Sequence, residues 1–168
     1  MRFFLMIALA MGLSACATAQ RLDAAGDVHA LLVSIRDEDQ AAFDAHVDRE
    51  ALKQEISARL TAEARGPKVD KGWQALGAML APALADIAGD ALVQPQVFHK
   101  VAESYGYKPG QPLPSRVAIA GSLKTMDDGR VCATKSKDGP CVLIFRQDNG
   151  VWKLSGFEGE ISSLRIKL

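Results

Sequence analysis

Apolar residues follow a helical period over the first two thirds of the chain and a strand period over the last third. In the first helical stretch they fall at positions i, i+3, i+4 and i+7, which places them on one face of an α-helix. The residues of this stripe are Val28, Leu31, Leu32 and Ile35. The spacing predicts an amphipathic helix that begins near Asp27.

Two further helices are predicted by acidic N-cap residues, each followed by an apolar face. Asp39 suits the N-cap of a short helix and Asp48 that of a third helix, because a carboxylate accepts hydrogen bonds from free backbone amides. The apolar faces consist of Phe43 and Val47 in the second helix and of Leu52, Ile56 and Leu60 in the third. Gly66 and Pro67 stop the third helix.

An Ala-rich apolar segment at 73–92 continues the helical period, and Pro82 predicts a kink or a split within it. Its small side chains leave room for a ligand or for a packed partner helix. Pro95 suits the first position of the last predicted helix, which Gly106 ends. The apolar stripe of that helix is Val97, Phe98, Val101 and Tyr105.

Beyond a loop at 109–114 the period drops to two, which predicts strands. Turn-forming Asp, Asn and Gly residues divide this region at hairpin spacing. The predicted strands are 116–126, 130–136, 140–147 and 151–158, with a short fifth strand at 164–168. Helices followed by antiparallel strands indicate an α+β fold, in which the amphipathic helices pack on one face of a four- to five-stranded sheet.

A separate apolar run of ten residues, 3–12, follows the positive charge of Arg2 near the start of the chain. It is too short for a membrane span, which needs roughly 20 apolar residues. A positive start, a brief apolar core and small residues before a cleavage point are typical of a signal peptide. We therefore expect this run to be removed from the mature protein.

The residues that close this run are Leu13-Ser14-Ala15-Cys16. They resemble the recognition sequence of the bacterial lipoprotein signal peptidase. The resemblance implies diacylglyceryl on the Cys16 sulfur, cleavage after Ala15 and acylation of the new amino terminus. Such chains contribute about 0.8 kcal/mol per buried methylene, so they attach a protein to a membrane that no segment crosses. The alternative is a plain secretory signal, cut before Gln20, with Cys16 discarded.

This interpretation divides the chain into a signal peptide at 1–15, a polar lipidated tether at 16–26 with a break at Gly26, and a single α+β domain at 27–168. About 150 residues after cleavage suit one domain with one core. We expect the mature protein in the bacterial cell envelope, held to the membrane by its lipid, on the periplasmic face of the outer membrane.

The composition and charge are those of an ordinary folded domain. Hydrophobic residues make up 48% and charged residues 24%, which is unlike a disordered chain. Lys+Arg and Asp+Glu both number 20, and loss of Arg2 leaves 19 against 20, a formal charge of −1. Because a balanced charge gives no electrostatic footprint for nucleic acid, we expect no nucleic-acid partner.

The cysteines outside the lipid motif are Cys132 and Cys141. They form a pair in a compartment where disulfides persist, and a hairpin between them would bring the two sulfurs near each other. We therefore expect a disulfide. The alternative is two buried reduced thiols, which also pack well.

Two stretches carry a likeness to a known family. The first contains Leu32, Ile35-Arg36-Asp37, Asp39, Phe43, Val47-Asp48, Leu52-Lys53 and Ile56, and the second is Phe145-Arg146-Gln147-Asp148-Asn149-Gly150-Val151-Trp152-Lys153-Leu154. They resemble a bacterial family of small envelope proteins with a domain of unknown function. The resemblance implies a helical first half and a sheet that ends in a Phe…Asp-Gly…Trp-Lys-Leu hairpin. The order of elements is also similar to cystatin or nuclear-transport-factor folds, an analogy of fold alone.

Motifs for catalysis, cofactors or metal binding do not stand out in the sequence. His29, His46 and His99 lack metal-ligand spacing, and Asp37-Glu38-Asp39 lacks the order of a calcium loop. We therefore predict no metal and no cofactor, and a solvated helix junction at the acidic run. The aromatic residues Trp73, Tyr105, Tyr107 and Trp152 stand at spacings typical of a core.

Two functions stay open at this point. The first is a non-catalytic envelope lipoprotein that binds a partner protein or an apolar small molecule between the helices and the sheet. The alternative is a hydrolase-like enzyme that acts on an envelope component through residues that form no motif, for instance His99 with a carboxylate. A pocket with a histidine and a carboxylate within hydrogen-bond reach would favour the enzyme.

Overall fold

The computed structural model describes residues 2–64, 89–104, 106–136 and 139–158. Helices precede strands along these residues, which confirms the α+β fold. The helices are α1 (Arg2–Arg36), α2 (Gln40–Ala45), α3 (Arg49–Ala64), α4 (Pro95–Ser104) and α5 (Arg116–Ser122), and residues 89–92 are helical as well. The strands are β1 (Leu123–Thr125), β2 (Val131–Thr134), β3 (Cys141–Asp148) and β4 (Val151–Phe157).

The predicted caps of α2 and α3 are confirmed. The carboxylates of Asp39 and Asp48 each accept a hydrogen bond of 3.0 Å from a backbone amide in the first turn of their helix. Each bond satisfies an amide that has no partner within the helix. Pro95 opens α4 as predicted, and Gly106, with a φ of +96°, follows its end in the left-handed conformation that favours glycine.

The predicted break at Gly26 is wrong, because α1 continues through it. Residues 20–26, expected to belong to a polar tether, are helical and packed: Ala24 and Ala25 are fully buried. They extend the apolar stripe of Val28 and Leu31 by one turn toward the amino terminus. A glycine inside a helix costs roughly 1 kcal/mol relative to alanine, and the burial of this stripe outweighs that cost.

The strand predicted at 116–126 is wrong over most of its length, because 116–122 form helix α5. The hydroxyl of Ser115 accepts a hydrogen bond from the amide of Ala118 at 3.3 Å and caps this helix. Ile119 is buried, whereas Val117 is 75% exposed, so the apolar alternation does not mark one buried face. Only the last part of the prediction is a strand, β1.

The sheet is an antiparallel meander in the order β1-β2-β3-β4. Strands β2, β3 and β4 lie where predicted, within one or two residues at their ends. Consecutive strands alternate in direction, so the β1–β2 and β3–β4 turns lie at the same end of the sheet. We call it the turn end (126–130 and 148–150), and we call the opposite end, with the β2–β3 connection at 135–140, the disulfide end.

The core lies where α1, α2 and α3 meet the sheet. It is one cluster to which both helices and strands contribute. Its largest fully buried side chains include Phe43 from α2, Phe145 from β3 and Leu154 from β4. Leu154 also forms a parallel bridge with Val47, which ties the segment after α2 to the last strand.

Several predictions fall on residues outside the described ranges. They are the third-helix stop at Gly66 and Pro67, most of the Ala-rich segment 73–92 with Pro82, the aromatic residues Trp73 and Tyr105, and the fifth strand at 164–168.

Candidate functional site

Cys16, the predicted lipid attachment residue, lies in α1 shortly before that helix meets the sheet. The side-chain amide of Gln20 donates a hydrogen bond of 2.8 Å to the backbone carbonyl of Gly129, at the turn end. A helix rises 1.5 Å per residue, so Cys16 lies about 6 Å along the axis from this contact. A group on Cys16 would therefore sit next to the folded domain.

Two carboxylates on the following turns of α1 hold the start of β4. The Asp23 carboxylate accepts a hydrogen bond of 2.8 Å from the Trp152 indole N–H, and the Asp27 carboxylate accepts one of 2.8 Å from the Trp152 backbone amide. Residues four apart lie on one helix face, so both carboxylates reach the same tryptophan. Trp152 is 2% exposed, so almost no water is available to replace these acceptors.

The segment between α2 and α3 contacts the same strand. The Leu154 amide donates to the His46 carbonyl at 2.9 Å, and the Asp48 amide donates to the Leu154 carbonyl at 2.9 Å. The Asp48 carboxylate, besides capping α3, forms an ion pair with the Arg146 guanidinium on β3. The hairpin β3–β4 is therefore joined to α1 and to the α2–α3 segment, which makes this junction structural.

The predicted disulfide between Cys132 and Cys141 is confirmed, and the alternative of two reduced thiols is wrong. The bond joins β2 to β3, where the two Cα atoms are 5.5 Å apart, a usual separation for bridged cysteines. Cys132 is fully buried. At the same end of the sheet, the Lys124 ammonium donates to the Gly139 carbonyl at 3.1 Å.

The three histidines belong to different parts of the described chain: α1, the end of α2 and α4. His46 Nδ1 is 2.8 Å from the Ala42 carbonyl oxygen, and its Nε2 is 3.8 Å from Asp27 Oδ1. His29 is half-buried on α1, and His99 lies on α4. Within the described ranges, we find no group of three or more His, Cys, Asp or Glu side chains that could hold a metal ion.

His99 forms the arrangement closest to a catalytic pair. Its Nδ1 lies 3.3 Å from Glu38 Oε1, within hydrogen-bond reach, and its Nε2 lies 3.9 Å from Glu103 Oε1. The His99 and Tyr107 rings meet edge to face, with centroids 5.9 Å apart. Glu38 has a φ of +54°, an uncommon conformation for this residue type.

His99 Nε2 and the Tyr107 hydroxyl are both buried, and neither has a hydrogen-bond partner among the residues that the structure describes. Buried polar atoms of this kind ordinarily bind an ordered water. A carboxylate on Nδ1 would orient the ring and leave Nε2 free to accept a proton. The burial of that nitrogen, however, keeps it from direct contact with solvent.

The acidic run Asp37-Glu38-Asp39 does not form a common site, because each carboxylate has its own partner. Asp37 pairs with Arg36 at 2.7 Å, and this hydrogen bond lowers the pKa of Asp37. Glu38 faces His99, and Asp39 caps α2. The predicted solvated junction is thus a set of three separate local contacts.

The turn end carries acidic groups that are paired with nearby cations. Asp128 accepts hydrogen bonds from the Arg130 backbone amide and guanidinium, which lower the pKa of that carboxyl. The Lys153 ammonium, 2.8 Å from Asp148, lowers the pKa of Asp148. These carboxylates stay ionised at neutral pH, so the turn end has no excess of positive charge.

Sequence reasoning missed Asp23 and Asp27, which it placed in a tether or at a helix start. One signal was available: the two acids are four residues apart and precede a helical apolar stripe. Their partner, Trp152, is more than 120 residues away. Only the fold brings these groups together.

A family described as "Protein of unknown function (DUF2939)" matches residues 5–101, more than half of the 168-residue chain. The chain belongs to this family. The DUF2939 match includes nearly all of α1, with Asp23 and Asp27, and continues through α2 and α3 into α4. It ends before α5 and the sheet, so the family likeness of the Trp152 hairpin stays a prediction.

No curated protein and no solved structure matches the chain. The analogy with cystatin and nuclear-transport-factor folds therefore stays a prediction. Among the helices in the described ranges, none is both long and apolar enough to span a membrane. The DUF2939 description names no substrate, ligand or partner.

Proposed function

We propose that this DUF2939 protein is a lipoprotein of the bacterial cell envelope, with acyl chains on Cys16 and a non-catalytic binding or accessory domain. The observation that carries the proposal is the position of Cys16. It closes a motif of the lipoprotein type and stands four residues before Gln20, which is bonded to the sheet. The residue that carries the acyl anchor would thus lie on a helix that packs against the sheet.

The disulfide supports the same compartment. Disulfides persist in the periplasm and outside the cell, whereas cytosolic thiols are kept reduced. The Cys132–Cys141 bond joins two neighbouring strands, and one of its cysteines is fully buried. Two separate features therefore fit an envelope location. One is the proposed anchor, which α1 connects to the turn end, and the other is the disulfide at the opposite end of the sheet.

A test of the anchor is fractionation of cells that produce the wild-type chain or Cys16→Ser. We expect the wild type in the membrane fraction and labelled by a palmitate analogue, and the variant unlabelled and released from the membrane. Ala19→Ser is the matched control, since it alters an exposed residue just beyond the motif and leaves Cys16 in place. Wild-type protein without label in the soluble fraction would refute the proposal.

The binding or accessory role is supported by the partners of the described carboxylates, which are structural, and by exposed apolar side chains. Asp23, Asp27 and Asp48 all have structural partners within the fold. Among the side chains that the structure describes, Leu22, Leu92 and Val117 are large, apolar and exposed, and they offer contact points for another molecule. The partner would be an envelope protein or an apolar small molecule.

Native mass spectrometry of the acylated protein from envelopes tests this role for a small molecule. We expect an added mass that stays with the folded chain and is lost on unfolding. In-cell crosslinking from Val117, compared with exposed Asp127 as the control position, tests for a protein partner. Recovery of neither a ligand nor a crosslinked partner would contradict the binding role.

A hydrolase-like activity is the second candidate, and one observation favours it. His99 Nδ1 and Glu38 Oε1 are 3.3 Å apart, the arrangement that orients an imidazole as a base. In such an enzyme His99→Gln would abolish hydrolysis of envelope components, whereas Lys100→Gln, an exposed change on the same helix, would not. Equal behaviour of both variants and the wild type would leave His99 with its packing role alone.

A further inference from the structure

We infer that the turn end of the sheet is the surface that faces the lipid headgroups, held there by the short distance between Cys16 and the fold. This inference rests on the proposed acylation of Cys16. It adds an orientation: the turn end lies toward the membrane, with the β1–β2 turn at 126–130 nearest to it, and the disulfide end points away from it.

The direction of α1 relative to the sheet supplies the first step. Gln20 contacts Gly129 at the tip of the β1–β2 turn, and Asp23 and Asp27 contact Trp152, the second residue of β4. Both contacts lie at the turn end, so from Gln20 to Asp27 α1 crosses that end of the sheet from the β1–β2 turn toward β4. The residues before Gln20, Cys16 among them, therefore leave the fold beside the β1–β2 turn.

The length of free chain supplies the second step. A polar tether at 16–26 would let eleven residues extend to roughly 37 Å, and the domain could then turn in any direction. Because Gln20 is bonded to the sheet, only four residue steps separate Cys16 from the fold. They span about 6 Å as a helix and at most about 14 Å if fully extended.

The distance between Cys16 and the fold is comparable to the thickness of the lipid headgroup region. The headgroup region on each side of the hydrocarbon core is about 5–8 Å thick. Acyl chains on Cys16 begin at the inner boundary of this region, so the β1–β2 turn lies at or just above the headgroups. The far end of β4 is roughly 20 Å further away, since a strand rises about 3.3 Å per residue.

Charge does not provide this orientation. Asp127, Asp128 and Asp148 at the turn end are matched by the nearby cations Arg130, Lys153 and Arg146. A surface without an excess of positive charge is not attracted to anionic lipids. The anchor, and not an attraction between charges, thus brings the turn end close to the headgroups. Vesicles of phosphatidylethanolamine with a minor anionic component are a suitable probe.

The test places one fluorophore at either end of the sheet in the acylated full-length protein. Asp127→Cys marks the turn end and Glu158→Cys marks the disulfide end; both replace an exposed acid. The native disulfide is left oxidised, and an acylated Cys16 sulfur does not react with the label. The vesicles contain a lipid with a nitroxide on its headgroup, which quenches nearby fluorophores.

We expect several-fold stronger quenching at position 127 than at position 158. Equal quenching at both positions, or stronger quenching at 158, on protein that floats with the vesicles would overturn the orientation and leave acylation intact. Protein that does not float, and that takes up a second label on a free Cys16 thiol, would overturn both the acylation and the orientation.

A lengthened chain is the matched control for the distance argument. Ten Gly and Ser residues inserted between Ala17 and Thr18 give a flexible linker of about 17 Å root-mean-square length. We expect the difference in quenching between positions 127 and 158 to shrink toward equality. A difference that persists in the lengthened chain would overturn the proposed cause, because the short connection could not then be what orients the domain.

Discussion

The two ends of the sheet are built differently although the same four strands run between them. The turn end is closed by two tight turns and is held to α1 by hydrogen bonds, in which Gln20 donates to Gly129 and the carboxylates of Asp23 and Asp27 accept from Trp152. The disulfide end has the longer connection at 135–140, and a covalent bond between β2 and β3 holds it. Non-covalent contacts with one helix thus secure one end, and a local cross-link secures the other.

The two ends of the sheet therefore have different roles: one connects the sheet to α1, and the other stabilises neighbouring strands. The contacts at the turn end pass to α1 and so to Cys16, which makes them the route by which an anchor would position the domain. The Cys132–Cys141 bond joins neighbouring strands and stabilises them independently of α1. Changes at the two ends should therefore have distinct consequences.

Removal of the Trp152 side chain should have the largest effect on stability. Trp152→Ala leaves a cavity in the core and removes the indole N–H that donates to Asp23 at 2.8 Å, and we expect a loss of about 3–5 kcal/mol in the free energy of unfolding. Urea unfolding followed by circular dichroism measures it. Trp152→Phe keeps most of the apolar contact and should lose clearly less; equal losses in the two variants would contradict the cavity explanation.

Reduction of the disulfide should rank second. The bond closes a loop with a sequence separation of 9, for which the chain-entropy model gives about 2–3 kcal/mol as an upper value. We expect a reductant to lower the stability of the wild type by up to this amount. The double variant Cys132→Ala with Cys141→Ala is the control and should not respond to the reductant; a wild type equally indifferent to it would refute the prediction.

Neutralisation of Asp27 should cost less, because the replacement side chain keeps an oxygen that can accept from the Trp152 amide. We expect Asp27→Asn to lose about 1 kcal/mol, the usual net worth of a hydrogen bond. Asp37→Asn is the matched control, because it makes the same chemical change at an exposed position. It should change the free energy of unfolding by no more than about 0.5 kcal/mol. Similar losses in both variants would mean that the contact to β4 contributes nothing specific.

Acid should weaken the turn end slightly, the smallest of these effects. Arg130 lowers the pKa of Asp128 and Lys153 lowers the pKa of Asp148, so each carboxylate stabilises the fold above its ordinary pKa. That contribution is lost as the pH falls through the lowered values, below about pH 4. Both groups are exposed to solvent, so the change is small.

The comparison that reveals this effect is unfolding at pH 5 and at pH 3. The wild type should lose more stability between these two values than Asp128→Asn combined with Asp148→Asn, which has no charge to lose at either position. A larger loss in the double variant would reverse the sign worked out above and contradict it.

Local chemistry made part of the fold predictable from the sequence. Asp39 and Asp48 cap their helices through backbone amides only three residues away, and the Asp148-Asn149-Gly150 turn has positive φ at Asn149 and Gly150. The helix at 116–122 was missed because its apolar residues alternate. The deciding signal was Ser115, a helix cap whose hydroxyl binds the amide of Ala118.

The candidate sites were less predictable, because they depend on residues far apart in the chain. Cys132 and Cys141 could be paired, since Cys16 has a motif of its own. Glu38 and His99 are 61 residues apart, and nothing in the sequence indicates that they meet. The continuity of α1 through Gly26 was equally hidden, since it depends on burial against the sheet.

The mass of the intact protein, extracted from cell membranes without reduction, reports cleavage, acylation and the disulfide in one measurement. We expect a chain that begins at Cys16 and carries a diacylglyceryl group and an amino-terminal acyl chain, with Cys132 and Cys141 still bridged. A chain without acyl groups that begins at Gln20 or later, or one that keeps residues 1–15 and a free Cys16 thiol, would contradict it.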